Sequence, residues 1–203
     1  MTAAVIGGMV RVMRPVLLSL LMLGSVGLLT AQVPDAETQI ARAILAAPEE
    51  ERDVCTVMGY DETGAVVTLR EGSNGLICLA DDPTRDGFSV ACYKAELEPY
   101  MARGRALRSE GKSFREVFDT REAEVKAGTL PMPDKSNLTV LTAELNENTG
   151  ELENTYVRYV IYIPFATPET TGIPLRPVSP GGPWIMDPGT HRAHIMINPP
   201  RSE

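Results

Sequence analysis

Both histidines of the chain fall in one stretch, Trp184-Ile-Met-Asp-Pro-Gly-Thr-His-Arg-Ala-His-Ile-Met-Ile197. Asp187, His191 and His194 form the densest grouping of imidazole and carboxylate in the sequence. Two neutral imidazoles and a carboxylate can hold zinc with one position open. The same groups suit proton transfer in a small metal-dependent or acid–base hydrolase, with Asp187 orienting one imidazole. Spacing argues against both. Pro188 and Gly189 read as a turn and residues 193–197 as extended, and on a strand positions 191 and 194 point to opposite faces. The plainer expectation is an Asp-Pro-Gly turn leading into a docked strand with structural histidines. Between these lies a ligand site in which Trp184 supplies apolar contact, Asp187 and Arg192 supply charge, and His191 and His194 supply hydrogen bonds. Tyr156, Tyr159 and Tyr162, on the nearest long β-type run, fill a sheet or stack on that ligand.

A second group is cationic. Arg103, Arg105, Arg108, Lys112 and Arg115 lie close together in sequence with Glu110 as the one acid among them. They present either a solvated helix face or a positive patch for an anion or acidic partner. Asp81, Asp82 and Asp86 lack the ligand order and closing Glu of an EF-hand. Phosphate-binding glycine loops, serine nucleophile elbows and HExxH metal motifs are absent from the sequence.

Cys55, Cys78 and Cys92 include no close pair, so thioredoxin-type exchange and a four-ligand zinc site have no support. If residues 81–87 close a hairpin, Cys78 and Cys92 become cross-strand neighbours within bridging distance. Another pairing, or three reduced buried cysteines, remains open at this stage.

The elements that must position these groups follow a short leader. Arg11 and Arg14 precede a charge-free run from Pro15 to Ala31, the pattern of a secretory signal. Residues 1–31 are therefore expected to be a signal peptide, with Gly27 or Ala31 at its end and Met9 or Met13 as alternative starts. The competing readings are an uncleaved anchor, for which the run is short at about 25 Å, and a buried helix. Export places residues 32–203 as one secreted or periplasmic domain, where disulfides persist. Removing the leader with its two arginines takes the net charge from −8 to −10. An acidic body of this kind does not suit nucleic acid, and stable membrane insertion would require the leader to be retained.

Within the body, Ala36, Ile40, Ala43, Ile44 and Ala47 predict a helix over 35–47, capped by Asp35 and stopped by Pro48. Residues 54–60, 65–69, 75–80 and 88–93 predict an antiparallel meander, with Asn74-Gly75 as a hairpin turn. Helices follow from Pro99 to Ser109 and from a Ser113–Glu116 capping box to Gly128. Runs at 138–143 and 155–163 add strands on either side of an acidic turn, 146–150. Nine of the sixteen prolines lie in 164–203. That segment is expected to be irregular, packing back through 184–186 and 195–197.

The fold class expected is α+β, an antiparallel sheet packed on one face by helices, with a Pro-rich C-terminal segment. The function expected is binding of a small ligand or an envelope protein partner. The hydrolase and a purely structural envelope component are the alternatives.

Overall fold

Asp35 starts the first helix as its side chain predicts, accepting from the Thr38 amide at 2.8 Å. Helix α1 (Ala36–Ala43) tightens into a 3-10 turn at Ile44–Ala46 and ends before Pro48. The computed structural model describes residues 1–4, 33–146 and 148–201. The apolar run at 15–31, and with it the expected export signal, lies outside the described residues. The chain divides into Met1–Thr30 and Ala31–Glu203, and the α+β fold belongs to the second unit.

Four strands follow α1: β1 (Thr56–Tyr60), β2 (Val66–Arg70), β3 (Leu76–Leu79) and β4 (Phe88–Lys94). Helices α2 (Glu98–Ser109) and α3 (Phe114–Lys126) come next, then the long hairpin β5 (Ser136–Leu145) and β6 (Leu152–Tyr162). A single helical turn, α4 (Pro168–Thr171), precedes β7 (Trp184–Met186) and β8 (His194–Ile197). Among the described residues the eight strands form one sheet in the order β2-β1-β3-β4-β5-β6-β8-β7. The Pro-rich segment is thus more regular than its composition suggests. Its two apolar triplets add strands to the sheet edge.

The expected meander is corrected in one respect. β3 does not pair with β2 but lies on the other side of β1, parallel to it. The reason is burial. Three of the four β3 residues are buried, whereas every β2 residue is at least partly exposed, so β2 takes the edge and β3 the interior. The connector must then pass across the start of β1, and Gly72 makes that pass. A Cβ at Gly72 would lie 2.1 Å from the Thr56 nitrogen and 2.2 Å from the Cys55 carbonyl carbon, so only glycine fits. The Ser73 amide donates to the Val54 carbonyl at 2.8 Å and pins the crossing. Asn74-Gly75 closes no hairpin. Asn74 instead accepts from the Leu76 amide at 3.0 Å and turns the chain into β3.

Strand alternation gives the sheet two apolar faces, and helices cover both rather than the one expected. Val57, Leu76, Cys78, Phe88, Val90, Cys92 and Leu141 face α1 and its 3-10 extension. Ile77, Tyr93, Leu138, Val160 and Met196 face the other way, against Leu97 and Tyr100 at the start of α2. Gln39 ties α1 to the sheet, its amide donating to the Tyr60 carbonyl at 2.9 Å and accepting from the Tyr60 amide at 2.8 Å. A buried strand-end peptide is thereby satisfied by a side chain.

Cys78 and Cys92 are directly opposed on β3 and β4 and are bonded, while Cys55 is free and buried. Thiol titration of the denatured protein should find one reactive thiol. Replacing both bridged cysteines with alanine should lower unfolding free energy by about 3 kcal/mol on the loop-entropy account, measured by urea denaturation. Gly72→Ala should cost more than about 3 kcal/mol, because backbone rather than a flexible side chain must move. A urea midpoint unchanged by Gly72→Ala would refute the crossing.

Candidate functional site

The β7–β8 turn is held by its own backbone. The Gly189 amide donates to the Ala166 carbonyl at 2.8 Å, and the Phe165 amide donates to the Thr190 carbonyl at 2.7 Å. Asp187 sits in the left-handed region at φ 51°, a conformation aspartate tolerates better than most residues. Its carboxylate lies 3.4 Å from the Arg192 guanidinium. His191 is fully enclosed, its Nδ1 donating to Glu122 of α3 at 2.9 Å. His194 is 4% exposed, and its Nδ1 donates to the Arg192 carbonyl at 2.7 Å.

Burial holds both imidazoles below their ordinary pKa. For His191 the Arg121 and Arg192 cations add to that effect, while Glu122 opposes it. Both rings are neutral at neutral pH and behave as aromatic filling. Phe118, His191, Tyr100, Tyr162 and His194 form a continuous chain of edge-to-face and tilted rings, with successive ring centroids 4.7, 5.7, 6.0 and 5.4 Å apart.

The three groups singled out for zinc or proton transfer are therefore drawn to different partners. Asp187 takes Arg192, His191 takes Glu122, and His194 takes a backbone carbonyl. Among the described residues no group of three His, Cys, Asp or Glu side chains is placed to hold a metal ion. His191 and Glu122 make a dyad, but His191 Nε2 is sealed and unpartnered. Trp184 is half-buried in the α2 side of the core beside Met196, its partner on β8. Tyr156 donates to the Pro199 carbonyl at 2.9 Å, and Tyr159 is 46% exposed.

Arg192 and Tyr162 alone of these residues reach a cavity of about 280 Å³ beside α2 and α3. Its apolar wall is Met101, Phe114, Val117, Phe118 and Tyr162, and its cations are Arg108, Lys112, Arg121 and Arg192. The basic cluster seen in sequence is thereby sorted. Arg103 pairs with Glu124 at 2.6 Å, Arg115 with Asp119 at 2.8 Å, and Arg105 with Glu98. Arg108 has no carboxylate within ion-pair distance among the described residues, and Lys112 reaches Glu116 only at 3.7 Å.

Arg121 is the central group. It is half-buried and has no carboxylate within ion-pair distance among the described residues. Its guanidinium lies over the Tyr100 ring at 4.1 Å and donates to the Tyr100 carbonyl at 3.3 Å, leaving Nε–H buried without an acceptor. Gly104 of α2 makes room for it, since a Cβ there would come 2.9 Å from Arg121 Nη1 and 3.4 Å from Arg108 Nη1. Burial lowers the Arg121 pKa, with Arg108 and Arg192 contributing, yet a guanidinium stays charged. The ring and the carbonyl offset part of the cost of that burial without supplying a counter-charge. An anion in the cavity would make up the difference.

A larger cavity of about 490 Å³ lies between α1, the 81–87 connector and the end of β5. Its charges balance, Arg42 and Arg85 against Asp81 and Glu144, and Arg42 already donates to the Gly150 carbonyl at 3.0 Å. Size therefore does not choose the site; unmatched charge does. Compared with known proteins, the chain matches no protein-family model, no curated protein and no solved structure.

Sequence reasoning reached Arg192, Arg108 and Lys112 but not Arg121, which falls at helical spacing in the stripe Phe114, Val117, Phe118, Arg121 and Val125. The signal was the arginine itself, at a position where an apolar residue would fill the stripe.

Neutral buried histidines have a pH signature. Their folded pKa values lie below the unfolded 6.5, so the unfolded chain binds protons first as pH falls. The stability they contribute is full above pH 6.5 and declines below it. The urea midpoint should fall between pH 7 and about pH 5, with both imidazole NMR titrations centred below the ordinary histidine value. A midpoint unchanged across that interval would contradict the burial of both rings.

Proposed function

We propose that the folded body is an exported binding domain whose ligand is a small anion with a compact apolar portion, held in the cavity between α2, α3 and the β7–β8 turn. The observation that carries this reading is Arg121, a half-buried guanidinium without a carboxylate partner among the described residues, set against aromatic walls. Binding pockets combine apolar contact with placed polar groups, and here five apolar or aromatic side chains stand beside four cations. At about 280 Å³ it has room for the equivalent of about nine waters. Concavity favours a small molecule over an envelope protein surface. The export expected from the leader, and a buried disulfide suited to an oxidising compartment, agree with a secreted or periplasmic location. Catalysis is not part of the proposal, because His191 is fully enclosed and has no exposed atom with which to meet a substrate.

Thermal-shift titration tests the reading directly. Benzoate, benzenesulfonate and phenyl phosphate form the anionic set, with benzyl alcohol and benzylamine as neutral and cationic controls. At least one anion should raise the melting temperature saturably, the controls should not, and Arg121→Met should abolish the shift. Equal shifts with benzylamine, or none with any anion, would sink the proposal.

A further inference from the structure

Resting on the reading of this cavity as an anion site, we propose that the group it takes is a phosphomonoester: a doubly charged phosphoryl group on a compact apolar body. Charge sets the first requirement. Of the four cations lining the cavity, Arg192 is matched by Asp187 at 3.4 Å and Lys112 by Glu116 at 3.7 Å. Arg108 and Arg121 are left unmatched among the described residues. Two uncompensated guanidiniums call for two negative charges, which a phosphomonoester carries near neutral pH and a simple carboxylate does not.

Direction sets the second requirement. The guanidiniums are supplied by three separate elements: Arg108 by α2, Arg121 by α3 and Arg192 by the turn before β8. One planar carboxylate is satisfied by a single bidentate arginine, whereas a phosphoryl group offers three oxygens pointing apart. Gly104 lets the first two arginines approach the same spot on α2. The amino end of α3 is not the anchor, since Ser113 and Glu116 close it with their own capping box. The apolar body is received by Phe118 and Tyr162 and, at the rim, by Phe114, which is 72% exposed with Arg192 at 5.3 Å from its ring centroid.

Such a group is borne by soluble phosphomonoesters and by phosphatidic acid headgroups alike. Isothermal titration calorimetry of the folded protein with phenyl phosphate, benzoate, inorganic phosphate and benzyl alcohol isolates the chemistry. Co-sedimentation with vesicles of phosphatidylcholine, with and without phosphatidic acid, identifies the source. Phenyl phosphate should bind at least about tenfold more tightly than either benzoate or inorganic phosphate. Arg108→Gln, at an exposed position whose loss leaves the core intact, should weaken phenyl phosphate about tenfold and benzoate less. Vesicle binding that depends on phosphatidic acid supports the lipid-borne form, and soluble binding alone supports the free one. Benzoate binding as tightly as phenyl phosphate, or equal weakening of both by Arg108→Gln, would overturn the phosphomonoester while leaving the anion site standing. Failure of every anion would remove the site itself.

Discussion

The centre of the sheet is buried on both faces, and most of the molecule follows from that constraint. β3 and β4 place Cys78 and Cys92 toward α1 and Ile77 and Tyr93 toward α2. A strand apolar on both sides has no face to give to water. It must lie inside the sheet and be covered twice. That requirement sends β2 to the edge, forces the chain across β1 at Gly72, and calls α1 to one face and α2 to the other. The disulfide then bonds the two strands that are apolar on both sides.

The cavity is a by-product of how the second face is covered. α2 seats Leu97 and Tyr100 against the sheet, and α3 is tied to α2 by Arg103–Glu124 and by Arg121 lying across Gly104. The sheet edge is finished by β7 and β8, whose turn brings His191 under Glu122 and Arg192 to the cavity rim. Arginines from three elements and aromatic rings from two meet where these coverings do not quite close. A chain with an excess of acidic residues thus keeps a local positive pocket. Net charge says nothing about such a site, because a pocket is governed by the few charges that lack partners.

Local signals in the sequence were largely sufficient for the elements. Asp35, the Ser113–Glu116 box and the β-branched run before Pro164 each determine a boundary through contacts within a few residues. Pairing was less legible. Asn74-Gly75 has hairpin chemistry, yet burial of Leu76, Ile77 and Cys78 overrode it, and that preference concerns strands distant in sequence. At the C-terminus the apolar triplets expected to pack back do so as strands β7 and β8, with prolines flanking them.

What the sequence by itself determined is the α+β class and the helices carrying the basic cluster, while the Cys78–Cys92 bridge was one of several cysteine states it left open. Class and helices rest on periodicity and on turns between neighbours. What only the tertiary structure decided is which charges are spent. Arg103, Arg105 and Arg115 read like Arg108 and Arg121 in one dimension, and His191 reads like a ligand. Ion pairing and desolvation are properties of partners and enclosure. They appear only when α2, α3 and the final turn are brought together in space.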